Sequence, residues 1–177
     1  MGKRFRSNRL SPGRLNLHST ADAPKRFVVK IHLIHPAKIL VIEDNESEIG
    51  LLRHALDQSG EPYELEILND GEEALRFVHE HRAGIREPKP CVILLDLYLP
   101  RYDGMAVLRA IRQEPTLEHI HVVVLTGLAT PDQEVEIANL GALYRRKPSA
   151  LSELAELAAE IIAICKNSST TKSLSPR

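Results

Sequence analysis

The sequence predicts an α/β fold: a doubly wound, five-stranded parallel sheet with helices on both faces. Three observations lead there. Short apolar runs alternate with stretches of helical spacing along most of the chain, which is the pattern of strand–helix–strand crossovers. Two of the runs, Lys38 to Ile42 and Cys91 to Leu95, are nearly continuous in apolar residues, as in strands buried in a parallel sheet. A chain of 177 residues with 43% hydrophobic and 27% charged residues suits one domain with a single core and short tails.

The elements follow in order. Lys38 to Ile42 is the first strand, and Ile49, Leu52, Ala55 and Leu56 form the apolar face of a helix over Glu46 to Ser59, stopped by Gly60. Tyr63 to Leu68 is the second strand. Asp70-Gly71 opens a helix through Ala74, Leu75 and Val78 to His81, and a polar loop from Arg82 to Pro90 leads to the third strand, Cys91 to Leu95. Gly104 to Gln113 is helical and ends at Glu114-Pro115, because proline disfavours helix in the residue before it. His121 to Leu125 is the fourth strand, and Pro131 starts a helix that runs to Gly141. Ala142 to Arg145 is the fifth strand. The last helix, Leu151 to Ile164, carries Leu154, Leu157, Ala158, Ile161 and Ile162 on one broad face.

Charge divides the chain. Residues 1–38 hold nine Lys/Arg against one acid, while the whole chain has a net charge of −1, so the body is acidic and disfavours nonspecific nucleic-acid binding. Residues 1–36 read as a basic disordered leader or a start codon assigned too far upstream, and 166–177 as a flexible tail. No apolar run is long enough to span a membrane, and no secretory signal is present. Cys91 and Cys165 lie far apart and form no CxxC and no Cys/His cluster, which argues against a disulfide scaffold and against zinc and favours a reducing cytoplasm.

In a doubly wound sheet ligands bind beyond the carboxyl ends of the strands. Those ends carry Glu43-Asp44, Asp96, Thr126 and Lys147. Three converging carboxylates repel one another and make physical sense around a cation, and oxygen-only ligands favour magnesium. A lone Asp or Lys at a strand end is ordinary; four strand ends each bearing a group suited to phosphoryl chemistry are not.

ILVIEDN (39–45), VILLDLYLPRYDGMAVL (92–108), VVVLTG (122–127) and LYRRKP (143–148) resemble, in order and spacing, the receiver domain of two-component response regulators across residues 37–165. The long stretch before the third strand looks most like the stand-alone regulators that partner phytochrome-type sensor kinases. The resemblance implies a flavodoxin-like sheet of order 2-1-3-4-5. It makes Asp96 the phosphoacceptor for a histidine kinase and assigns a Mg2+ site to Glu43, Asp44, Asp96 and the backbone carbonyl of Tyr98. Lys147 and Thr126 would contact the phosphoryl group, and Thr126 with Tyr144 would form the switch. It implies no enzyme beyond self-phosphorylation from small donors and self-dephosphorylation. It also implies a downstream protein target, with neither nucleic acid nor membrane, and a homodimer through the face spanning 132–164. Asp103 reads as a helix cap, not a metal ligand. The alternative is a receiver-like interaction module that works without phosphorylation.

A dehalogenase-type phosphatase would need DxDx[TV], but Asp96 is followed by Leu97-Tyr98, and a flavin-type phosphate loop would not open with Glu43-Asp44. All eight histidines lack metal-ligand spacing.

Overall fold

The computed structural model describes residues 3–6, 36–87 and 89–171. Strands β1 (Lys3–Arg6), β2 (Ala37–Ile42), β3 (Tyr63–Leu68), β4 (Val92–Leu95), β5 (His121–Thr126) and β6 (Leu143–Arg146) form one sheet of order β1-β3-β2-β4-β5-β6. From β3 to β6 all neighbours are parallel, so the expected 2-1-3-4-5 sheet is present. The helices are α1 (Glu46–Ser59), α2 (Gly71–Arg82), α3 (Gly104–Gln113), α4 (Pro131–Asn139) and α5 (Leu151–Thr171).

Successive strand residues point to opposite faces, and both faces are covered. Ile39, Val41, Val92, Leu94 and Val123 pack beneath α1 and α5. Leu40, Ile42, Ile93, Leu95, Val122 and Val124 pack beneath α2, α3 and α4. This is why the central strands β2 and β4 are apolar almost throughout, whereas β3 and β6, toward the edges, carry charged residues.

Three features depart from the sequence reading. Lys3–Arg6, expected in a structureless leader, adds an antiparallel strand to the free edge of β3. In register, Arg4 stands opposite Glu66 and Arg6 opposite Glu64, and the strand covers an otherwise open sheet edge. The rest of the leader lies outside the described residues. Helix α5 continues past Ile164 to Thr171, into the expected tail, and Lys166 there pairs with buried Glu61 at 3.0 Å; residues 172–177 are outside the described set.

The third departure is covalent. Cys91 and Cys165 form a disulfide, contrary to the expectation from their spacing, and no described cysteine is free. They are separated by 74 residues, but the carboxyl-terminal half of α5 reaches the amino end of β4 and brings their Cα atoms to 5.0 Å. Spacing in sequence carries no signal for such a contact. Among the described residues, no helix is long and apolar enough to cross a membrane.

Candidate functional site

The site is built from the carboxyl ends of β2, β4, β5 and β6. Ile42 and Leu95 are partners in parallel register, which sets the residues following them, Glu43 and Asp96, side by side. The Asp96 amide donates to the Ile42 carbonyl at 3.0 Å and the Glu43 amide to the Leu68 carbonyl at 3.0 Å, so both backbones are held by neighbouring strands. Glu43, Asp44 and Asp96 each offer a carboxylate oxygen, and these atoms lie within 4.8 Å of one another. Glu43 and Asp96 are buried, while Asp44 faces solvent. A buried, oxygen-only donor set with one open side fits a hard divalent cation.

Lys147, just past β6, closes the site. Its amide donates to the Thr126 carbonyl at 3.0 Å, which ties the ends of β5 and β6 together. Its ammonium donates to Asp96 Oδ2 at 2.7 Å and pairs with Glu43 Oε2 at 2.8 Å and Glu48 Oε2 at 2.5 Å. Burial works to lower the Lys147 pKa, but the hydrogen bonds to Asp96, Glu43 and Glu48 outweigh it, so the pKa is raised and the group stays charged. At Glu43 burial wins: it pushes the carboxyl above its ordinary value despite the hydrogen bonds from Lys147 and the Asn45 amide.

The loop after Asp96 is fixed at several points. The Tyr98 amide donates to Asp96 Oδ1 at 3.3 Å, and Tyr98 itself is exposed. Gly104 donates to the Leu97 carbonyl at 3.0 Å, and Asp103 caps α3 by accepting from the Met105 amide, as its position after the loop predicted. Arg101 takes a positive φ of 70° and reaches Glu72 at 2.7 Å, strapping the loop to α2.

Thr126 is fully buried at the end of β5, with its hydroxyl 3.5 Å from the Leu128 carbonyl, a weak contact. Tyr144 lies in β6, opposite Val124 and half-buried against the α2–α3–α4 face. The structure therefore brings Glu43, Asp44, Asp96 and Lys147 together, with Thr126 and Tyr144 on the flanking strands.

Sequence reasoning missed Glu48. It stands three residues after the α1 cap, Asn45, where a Glu ordinarily reaches back to the cap's amide. Here Glu43 Oε1 takes that amide at 3.0 Å, so Glu48 turns toward Lys147. The Asn-x-x-Glu spacing was a visible signal, but it reads as a cap.

The response regulator receiver domain matches residues 39–159. The chain belongs to this family. The receiver is 40% identical over 100 residues to the response regulator Rcp1 of Synechocystis sp., a match covering 56% of this chain and 68% of Rcp1. It is 32% identical over 122 residues to the polar-differentiation response regulator DivK of Brucella anthropi, covering 68% of this chain and 92% of DivK. Among solved structures it is similar to the phosphorylated cyanobacterial phytochrome response regulator RcpA, with 35% identity, a TM-score of 0.64 and coverage of 72% and 91%. The Mn2+-bound form of Rcp1 gives 36% identity, a TM-score of 0.63 and coverage of 72% and 93%. The likeness to phytochrome-associated regulators drawn from the sequence agrees with these relatives.

Proposed function

We propose that this receiver accepts a phosphoryl group from a sensor histidine kinase on Asp96 and signals by a surface change that follows. The observation that carries the reading is the contact of the Lys147 ammonium with Asp96 Oδ2 at 2.7 Å, beside the Glu43, Asp44 and Asp96 cluster. An Asp96 carboxylate oxygen attacks phosphorus, the phosphorus–nitrogen bond of the phosphohistidine breaks, and the electron pair leaves on the kinase's imidazole. Glu43, Asp44 and Asp96, with the Tyr98 carbonyl, would hold Mg2+, which supplies charge neutralisation for the phosphoryl oxygens. Lys147 supplies the second positive charge in a half-buried setting, where it is screened less than in water. The Thr126 hydroxyl, with only a 3.5 Å contact of its own, is available to the phosphoryl group, and its movement would leave room for Tyr144 to rotate.

The partner kinase is of phytochrome type by analogy with Rcp1 and RcpA. The output face is α4, β6 and α5, where Val135, Leu143 and Leu151 are exposed and suit a second copy or a downstream protein. Receiver chemistry here is signalling, with self-phosphorylation and self-dephosphorylation as its only turnover.

The test is intact mass after incubation with acetyl phosphate and Mg2+. One phosphoryl adduct, lost in Asp96→Ala and lost with a chelator, supports the reading. No adduct under conditions that trap acyl phosphates overturns it and leaves an interaction module that works without phosphorylation.

A further inference from the structure

The Lys147 ammonium has three protons and three carboxylate partners, so it is saturated before any phosphoryl group arrives. The partners are not equivalent. Glu43 and Asp96 belong to the cluster whose oxygens converge within 4.8 Å, whereas Glu48 does not. Glu48 stands at the rim, 38% exposed, in the first turn of α1. Its second oxygen accepts from Asn45 Nδ2 at 3.0 Å, and Asn45 Oδ1 in turn accepts from the Ser47 amide. The carboxylate that faces Lys147 is thus anchored to the helix cap instead of swinging freely.

Resting on the reading of Asp96 as phosphoacceptor, we infer that Glu48 is a positioning residue that latches Lys147 in the resting state and slows phosphorylation. A cation held by Glu43 and Asp96 would draw those carboxylates to itself and repel the nearby ammonium. Glu48 is then the partner that retains Lys147, on the α1 side of the site. The incoming phosphoryl group must take the ammonium from Glu48, and it must also approach past that negative charge. Removing the charge while keeping the side chain's size lifts both impediments. Because Glu48 touches neither the reacting atoms nor the metal cluster, its effect passes through Lys147.

The experiment compares wild type, Glu48→Gln and Glu46→Gln in the rate of adduct formation at several acetyl phosphate concentrations with saturating Mg2+, and repeats Glu48→Gln in a Lys147→Met background. Glu46 lies in the same exposed turn and carries the same charge away from the Lys147 contacts. Glu48→Gln is expected to raise the rate about threefold to fivefold, the scale of a partly exposed ion pair. Glu46→Gln should change it by less than about 1.5-fold on the same scale, and the gain should vanish without Lys147. Urea midpoints confirm folding, and Glu48→Ala makes the same prediction if the Gln variant is unstable. An unchanged or slower rate in Glu48→Gln overturns the latch, as does an equal gain in Glu46→Gln or a gain that persists in Lys147→Met. If wild type itself forms no adduct, the phosphoacceptor reading fails instead, so the two failures are distinct.

Discussion

Gly104→Ala tests whether the Asp96 loop is fixed by backbone packing. A Cβ built at Gly104 would lie 2.5 Å from Leu97 Cα and 2.9 Å from the Leu97 carbonyl oxygen, with the Asp96 carbonyl oxygen closer still. All three are backbone atoms, so no flexible side chain can yield. Ordinary contact begins near 3.4 Å, so the loop carrying Asp96 must retreat by about 1 Å or α3 must tilt. Retreat also stretches the 3.0 Å hydrogen bond from the Gly104 amide to Leu97. Overpacking of this kind costs about 1–3 kcal/mol, and losing a buried hydrogen bond about 1 more. Against this, alanine is favoured over glycine in a helix by about 1 kcal/mol. The net loss is about 2 kcal/mol, a fall of about 1 M in the urea midpoint for a slope near 2 kcal/mol/M. Gly50→Ala in α1 is the opposite control: nothing lies within 4 Å of its Cβ, so only the helix preference remains and the midpoint should rise. Equal midpoints for Gly104→Ala and wild type, with Asp96 phosphorylation intact, would refute the claim that this close approach fixes the loop.

Three further outcomes are expected. Reducing the Cys91–Cys165 bond, or replacing both residues by Ser, should cost about 2–4 kcal/mol in urea unfolding, since the bond closes a long loop in the unfolded chain; denatured but unreduced protein should take up no thiol label. Arg112 donates to the carbonyls of Leu140 at 2.6 Å, Ile120 at 3.0 Å, Gly141 at 3.1 Å and Glu118 at 3.2 Å, so Arg112→Met should speed amide hydrogen exchange around Gly141, and Arg112→Lys should not restore it because an ammonium lacks the planar fork. On acidification, Glu114 and Glu136 are held below their ordinary value of 4.5 by hydrogen bonds from Arg82 and Arg109, and Glu153 by the amides of Ser149 and Ala150. Their contribution is present above 4.5 and lost as pH falls through their lower folded values, so the urea midpoint should drop below that pH, less steeply in Glu136→Gln.

What was legible in the sequence is what neighbours in the chain determine. The runs over β2 and β4 are apolar on both faces because α1 and α5 cover one side and α2, α3 and α4 the other. Their carboxyl ends must carry the site because right-handed crossovers leave those ends open. Glu43, Asp96 and Lys147 could therefore be named from strand ends alone. What was not legible depends on pairing across distance. The strand at Lys3–Arg6 has no periodicity of its own and is defined by its backbone pairing with β3. Glu48 could not be picked out because its Asn-x-x-Glu spacing matches an ordinary helix cap, and only the fold brings it to Lys147.

The disulfide also bears on how a change at the site travels. Cys91 immediately precedes β4 and Asp96 immediately follows it, so one end of that strand is covalently joined to α5 while the other carries the carboxylate that Lys147 contacts. Helix α5 is pinned toward its far end by Cys165 and by the Lys166–Glu61 pair at 3.0 Å. Its first turn is held by polar contacts instead: Glu153 accepts from the Ser149 amide at 2.7 Å and the Ala150 amide at 3.2 Å, two and three residues beyond Lys147. Leu151 in that turn is exposed. A displacement of Lys147 therefore meets rigid resistance toward Cys165 and little at Leu151. The freedom of α5 lies at its amino end, next to Lys147, so a rearrangement there would pivot about the disulfide.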